Sequence, residues 1–117
     1  MLRHVGGFDI VSMTASMVRC AELGVPFVLD GFISCVAYLS ASLINPSVYQ
    51  YAIPSHLSKE PGALIALQMG GISKEQVPIH AKLCLGEGTG AILMVGILKT
   101  MKYTFDNAKT LPELLGD

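Results

Sequence analysis

The sequence predicts an α/β fold, a parallel sheet layered with flanking helices. Three observations lead there. Helix-like and strand-like runs alternate along the chain, one short run is apolar on both faces, and glycine-bearing turns separate the runs.

From Asp9 to Leu23, residues Ile10, Met13, Met17 and Ala21 recur at steps of three and four, the spacing of an amphipathic helix. Gly24, with Pro26 behind it, supplies the stop. Val25-Pro26-Phe27-Val28-Leu29-Asp30 is a short apolar run ending in an acid, the pattern of a strand buried on both faces. Gly31 turns the chain into a second helix from Phe32 to Leu43, closed by Asn45-Pro46. Tyr51 to His56 is a weaker strand, and Pro54 places it at an edge or marks its end. Ser58 to Gly62 is a loop opening a third helix, Ala63 to Met69, which Gly70-Gly71 ends. Pro78 to Leu85 reads as extended and strand-like. Gly86 to Gly90 then enters a long C-terminal helix from Ala91 to about Phe105, and Thr110 to Asp117 is a tail with a short apolar turn of its own. Together these runs describe a partial Rossmann-like layered sheet. Two or three short strands are too few to cover helices as apolar as Ala91 to Leu98. Residues 1–117 are therefore expected to form a single domain that is itself part of a larger one.

Composition narrows the function. With 51% hydrophobic and 15% charged residues among 117, the chain must bury a core and is not disordered. A formal charge of −1 argues against nucleic acid or an anionic membrane as partner. Cys20, Cys35 and Cys84 are odd in number, widely spaced and set among apolar neighbours, so no disulfide framework or zinc knuckle is expected. No signal peptide is legible, and a cytoplasmic location follows. Phe27 to Ile44 carries Asp30 and several serines, and Ala91 to Leu98 is short. Neither reaches the roughly 20 apolar residues of a spanning helix.

The strongest chemical motif is Gly86-Glu87-Gly88-Thr89-Gly90. Alternating glycines between an extended run and a helix start allow close approach of a ligand, and their N–H groups suit a phosphate or carboxylate. Gly86, Gly88 and Ala91 formally match a dinucleotide fingerprint, but no strand with an acid follows. Glu87 among those glycines either carries chemistry or only complements the helix dipole. Ser58 in Ser55-His56-Leu57-Ser58-Lys59-Glu60-Pro61-Gly62 either grips an anion or caps the next helix. Asp30-Gly31 lies at the carboxyl end of the first strand, where ligands of parallel sheets gather, although Asp30 could instead cap the following helix. His80 and Cys84 lack the further ligands that a metal site needs.

Taken in order, Val5-Gly6-Gly7-Phe8-Asp9-Ile10, Val28-Leu29-Asp30-Gly31-Phe32-Ile33, Ser55-His56 with Ser58 and Glu60-Pro61-Gly62, and Leu85-Gly86-Glu87-Gly88-Thr89-Gly90-Ala91 resemble successive motifs of the nicotinate-nucleotide–dimethylbenzimidazole phosphoribosyltransferase family. The resemblance covers nearly the whole chain, but corresponds to roughly the C-terminal third of the family's length. It implies transfer of the phosphoribosyl group of nicotinate mononucleotide to 5,6-dimethylbenzimidazole in cobalamin lower-ligand assembly, with no cofactor and no metal. It implies Glu87 as the catalytic base, Gly31, Ser58, Gly86 and Gly88 facing the nucleotide, and Leu85 near the aromatic base. It also implies a homodimer, or pairing with a missing N-terminal portion, and little activity from this stretch alone. A non-catalytic remnant or nucleotide-binding module of the same family is the alternative. Ala63 stands where the family usually has histidine, Cys84 where it has arginine and Asp9 where it has glutamate. The stretch between Gly62 and Leu85 is a few residues longer than usual.

Overall fold

A computed structural model of the chain describes residues 6–84 and 86–116. Its regular elements are α1 (Phe8–Glu22), β1 (Phe27–Leu29), α2 (Phe32–Ile44), a 3₁₀ segment (Pro46–Tyr51), β2 (Ala52–Pro54), α3 (Pro61–Met69), a 3₁₀ turn (Lys74–Gln76), α4 (Thr89–Asn107) and α5 (Leu111–Leu115). The α/β class with a parallel sheet expected from the sequence is observed, with two of the three expected strands among the described residues.

Local chemistry accounts for the helix ends. Gly24, at φ +70°, follows α1, with the N–H of Val25 donating to the Cys20 carbonyl (2.8 Å) and that of Gly24 to Ala21 (3.2 Å). This is the paired bonding of a Schellman stop. α3 ends identically: Gly71 lies at φ +92°, Ile72 N–H donates to Leu67 O (2.9 Å), and Gly71 N–H donates to Gln68 O (3.0 Å). Ile72 is thereby turned back into the core, where it is buried.

β1 and β2 pair in parallel, with Phe27 opposite Ala52, Val28 opposite Ile53 and Leu29 opposite Pro54. The expected third strand, Pro78 to Leu85, reduces among the described residues to one parallel bridge between His56 and Ile79. Two local causes end it. Pro78 has no N–H to donate, and Lys82 sits at φ +53°, outside extended backbone. Leu85 lies outside the described residues.

The core lies between α1, α2 and α3 on one side of this small sheet. Ala37, Ala41, Ala63 and Ala66 let the helices approach closely, and Leu29, Tyr38, Val48 and Leu67 fill the space between them. Thr14 Oγ1 donates to the Ala37 carbonyl (3.3 Å), linking α1 to α2. The buried Tyr38 hydroxyl donates to the Gly70 carbonyl (2.5 Å), while its ring occupies the space a side chain at residue 70 would need. Burial, with a small contribution from Tyr49, pushes the Tyr38 phenol up to about 12.

α4 departs from this core. Its first turn packs beside β1, but Ile92, Met101, Tyr103 and Phe105 are more than half exposed, as are Leu111, Leu114 and Leu115 on α5. The chain is accordingly elongated, 65 × 32 × 22 Å, with a radius of gyration of 16.7 Å. A compact domain of similar length would have about 13 Å. Among the described residues no helix is long and apolar enough to cross a membrane.

The cysteines separate by environment. Cys35 is buried, Cys20 is half-buried and Cys84 is exposed, so the apolar surroundings expected of all three do not hold for Cys84. Burial, opposed by a hydrogen bond with Ser34 and reinforced by Asp30, pushes the Cys35 thiol up to about 11. Titration with a thiol reagent is expected to modify Cys84 first and Cys35 only on unfolding. Equal rates at both positions would contradict this packing. Tyr38→Phe should lower stability by about 1–2 kcal/mol in urea denaturation, by leaving the Gly70 carbonyl without its buried donor.

Candidate active site

The carboxyl end of β1, the first turn of α1, the loop before α3 and the glycine-rich loop before α4 surround an open cleft of about 710 Å³. That volume falls in the range of small-ligand sites. Gly31, Ser58, Gly86, Glu87 and Gly88 all line it. Five residues singled out in the sequence thus share one cavity, although they span 58 positions of chain. Leu85, the remaining one, lies outside the described residues.

Asp30 organises the site. Gly88 is the N-cap of α4 and has no side chain with which to cap. Asp30 supplies the acceptor from a distance in sequence. Gly88 N–H donates to its Oδ2 (3.1 Å) and Ala91 N–H to its Oδ1 (3.1 Å). Those donors belong to the cap and the third helical residue, among the first-turn N–H groups that have no partner within a helix. Asp30 is fixed in turn, its own N–H donating to Ser34 Oγ (2.9 Å). The expectation that Asp30 caps the helix immediately after it is therefore replaced by a cap on α4. Ser58 likewise does not cap α3. Glu60 is that helix's N-cap, Pro61 begins it, and Ser58 Oγ accepts from the Glu60 N–H (3.2 Å).

Asp30, not Glu87, accepts from the first-turn amides of α4. Among the described residues the Glu87 carboxylate has no hydrogen-bond partner in the fold, and its backbone lies at φ +64°. A non-glycine residue in that left-handed region costs about 1–2 kcal/mol. Gly88 follows at φ +78°, so two successive residues of the loop that lines the cleft are left-handed. Gly90 has a different role from its neighbours. A side chain there would collide with the buried His56 ring, so glycine lets α4 close onto the segment after β2. His56 Nδ1 lies 3.0 Å from Ser55 Oγ, and its Nε2 is buried without a partner.

The cleft is acidic. Asp9, Asp30, Glu60 and Glu87 line it, with no lysine, arginine or histidine among the described lining residues. Met13, Phe32 and Ile33 add an apolar wall. These wall residues were not legible as site residues because their spacing is that of ordinary helix faces. Cys84 lines the cleft, while His80 opens on a separate depression. No group of residues that could hold a metal ion occurs among those described.

This cleft at the carboxyl end of a parallel sheet, closed by a glycine-rich loop, coincides with a phosphoribosyltransferase family model matching residues 1–113, and the chain belongs to that family. Within it, the chain is 46% identical over 107 residues to the nicotinate-nucleotide–dimethylbenzimidazole phosphoribosyltransferases of Salmonella paratyphi B and Salmonella newport. The match takes in 92% of this chain and 29% of each relative. A crystal structure of the corresponding enzyme from Thermus thermophilus superposes with a TM-score of 0.76 at 33% identity, over 85% of this chain and 29% of that one. A second, of CobT from the same organism, gives 0.74 at 34% identity, over 82% and 28%. The chain thus spans under a third of the length of the relatives it matches.

Asp30→Ala should destabilise the protein by about 1–2 kcal/mol. It should also speed hydrogen exchange at the Gly88 and Ala91 amides. Asp30→Asn, with one acceptor oxygen, should fall between. Unchanged exchange at those amides in Asp30→Ala would refute the cap. Glu87→Gly should stabilise the protein by about 1 kcal/mol, since glycine occupies that backbone region without strain.

Proposed function

We propose that residues 1–117 form the nucleotide-end segment of an enzyme that transfers the phosphoribosyl group of nicotinate mononucleotide to 5,6-dimethylbenzimidazole. The products are α-ribazole 5′-phosphate and nicotinate. The observation that carries this reading is Glu87, held over the cleft in a strained backbone and not consumed by capping.

One benzimidazole nitrogen attacks the anomeric carbon of the ribose while the bond to the pyridinium nitrogen breaks. The leaving ring keeps the bonding electrons and becomes neutral at nitrogen, so no strong acid is required. The attacking ring becomes cationic until its other nitrogen gives up a proton, and the Glu87 carboxylate accepts it. The acidic lining suits both the cationic pyridinium of the substrate and the positive charge that grows on the sugar during transfer. Gly31, Ser58, Gly86 and Gly88 would face the nucleotide, and Leu85 the aromatic base.

The same acidity disfavours the substrate's phosphate, and among the described residues lining the cleft none is a cation that would offset it. Positive charge and the rest of the base pocket would therefore come from further polypeptide, either an N-terminal portion or a second subunit of a homodimer. The exposed apolar residues of α4 and α5 offer a surface for that contact. A cytoplasmic setting fits cysteines that are all free.

The test is reconstitution. The chain joined to, or mixed with, the N-terminal portion of a relative should form α-ribazole 5′-phosphate from the two substrates, detected chromatographically. The chain alone should form little. Glu87→Gln in the completed enzyme should reduce kcat by roughly a hundred- to ten-thousand-fold while nicotinate mononucleotide still binds. Full activity in that variant would remove Glu87 from the base role.

A further inference from the structure

Outside the cleft, the basic residues are unevenly placed. Lys59, Lys74 and Lys82 converge with His80 around a depression of about 250 Å³, partly walled by Leu57 and Ser58. The lysines come from three separate segments: the loop before α3, the 3₁₀ turn and the loop after Ile79. Backbone bonds fix their spacing. Leu57 N–H donates to Ile79 O (2.8 Å) and Lys59 N–H to Leu83 O (2.9 Å), so segments 57–59 and 79–83 run side by side. His80 Nε2 lies 2.8 Å from the Val77 carbonyl, which holds the ring in place.

Among the described residues these lysines form no ion pair. The ion pairs found among the described residues are Arg19–Glu22 and Lys102–Asp106, both on other helices. Glu75 is the acid near the cluster. Hydrogen bonds to its own backbone N–H and to Ser73 hold its carboxyl below the ordinary value, with smaller contributions from the Lys74 and His80 charges. Glu60 adjoins Lys59 in the chain, and among the described residues no ion pair joins either glutamate to these lysines. Lys82 is also held at φ +53°, a backbone conformation that costs a lysine about 1–2 kcal/mol.

We propose that this depression is an accessory anion site for a phosphate group, distinct from the cleft and independent of the transferase reading. Lysine binds phosphate as a mobile point charge with three donors, and three such groups around one hollow match a dianion. The volume is below the roughly 300–1,000 Å³ of pockets that enclose drug-sized ligands, and so suits a phosphate head rather than a whole nucleotide. Ser58 borders both cavities, so an occupant here would lie against the loop that shapes the cleft.

The experiment is a titration of the 117-residue chain, at constant ionic strength, with inorganic phosphate and with ribose 5-phosphate, read by amide chemical shifts. Saturable shifts at Lys59, Lys74 and Lys82 are expected for both. Tighter binding of ribose 5-phosphate would assign the site to a phosphomonoester, and equal binding to free phosphate. The double variant Lys74→Gln/Lys82→Gln should weaken both by about tenfold, equivalent to about 1.4 kcal/mol. Lys99→Gln/Lys109→Gln, which removes equal charge elsewhere, should not. Non-saturable shifts, shifts confined to Gly86 and Gly88, or equal losses in the two double variants would overturn the proposal. So would tighter binding of a glutamate-rich peptide than of either phosphate, because the surface would then serve protein docking.

Discussion

The carboxylate of Asp30 is the constraint on which the site depends. It stands at the end of β1 and receives the Gly88 and Ala91 N–H groups at the start of α4. Without an acceptor there, the first turn of α4 would present orphaned donors beside a half-buried strand end, since Gly88 has no side chain to bind them. One side chain thereby joins the small sheet to a helix that makes few other contacts with the core. It also fixes the direction in which the Gly86–Gly88 loop crosses the cleft. Ser34, one turn into α2, holds Asp30 by its backbone N–H, so α2, β1 and α4 share a single connected hydrogen-bond network.

That arrangement divides labour between two acids that look alike in sequence. Both Asp30 and Glu87 sit beside glycines next to a helix start, and either could complement a dipole. The fold gives the dipole to Asp30, whose shorter side chain reaches two amides from the strand end. Glu87 retains a carboxylate at the rim and a left-handed backbone, a local strain of the kind that persists where the surrounding structure imposes it. The glycines divide as well. Gly88 is needed for its positive φ, whereas Gly90 is needed because the His56 ring fills the space beside it.

The electrostatics and the surface bear on the same proposal, that this polypeptide works together with further protein. A cleft whose described lining holds four carboxylates and no cation is a poor host for a nucleotide's phosphate by itself. A long helix with Ile92, Met101, Tyr103 and Phe105 turned to solvent has a face without cover. Under the proposed reading, further protein would answer both features; the relatives have more than three times the length matched here.

Helices and their ends were legible from sequence because their causes are local. The three- and four-residue spacing of Ile10, Met13, Met17 and Ala21, and the glycines at 24 and 71, determine α1 and the stops of α1 and α3 through contacts a few residues long. The four ordered motifs were legible too, and with them the family. The third strand was misread because Pro78 to Leu85 has extended-looking composition, while the missing Pro78 N–H and the left-handed Lys82 show their effect only when pairing is attempted. Which acid caps α4, why residue 90 must be glycine, and how Lys59, Lys74 and Lys82 meet could not be read from order along the chain. Each depends on groups separated by up to 61 residues. Packing of β1, β2 and α4 brings the first two sets into contact, and the pairing of segments 57–59 and 79–83 brings Lys59 and Lys82 to the depression that Lys74 also lines. The sequence by itself determined the helices, two of the strands and the family. The tertiary structure decided the partners, because hydrogen bonds and steric exclusion act over distances far shorter than the chain between them.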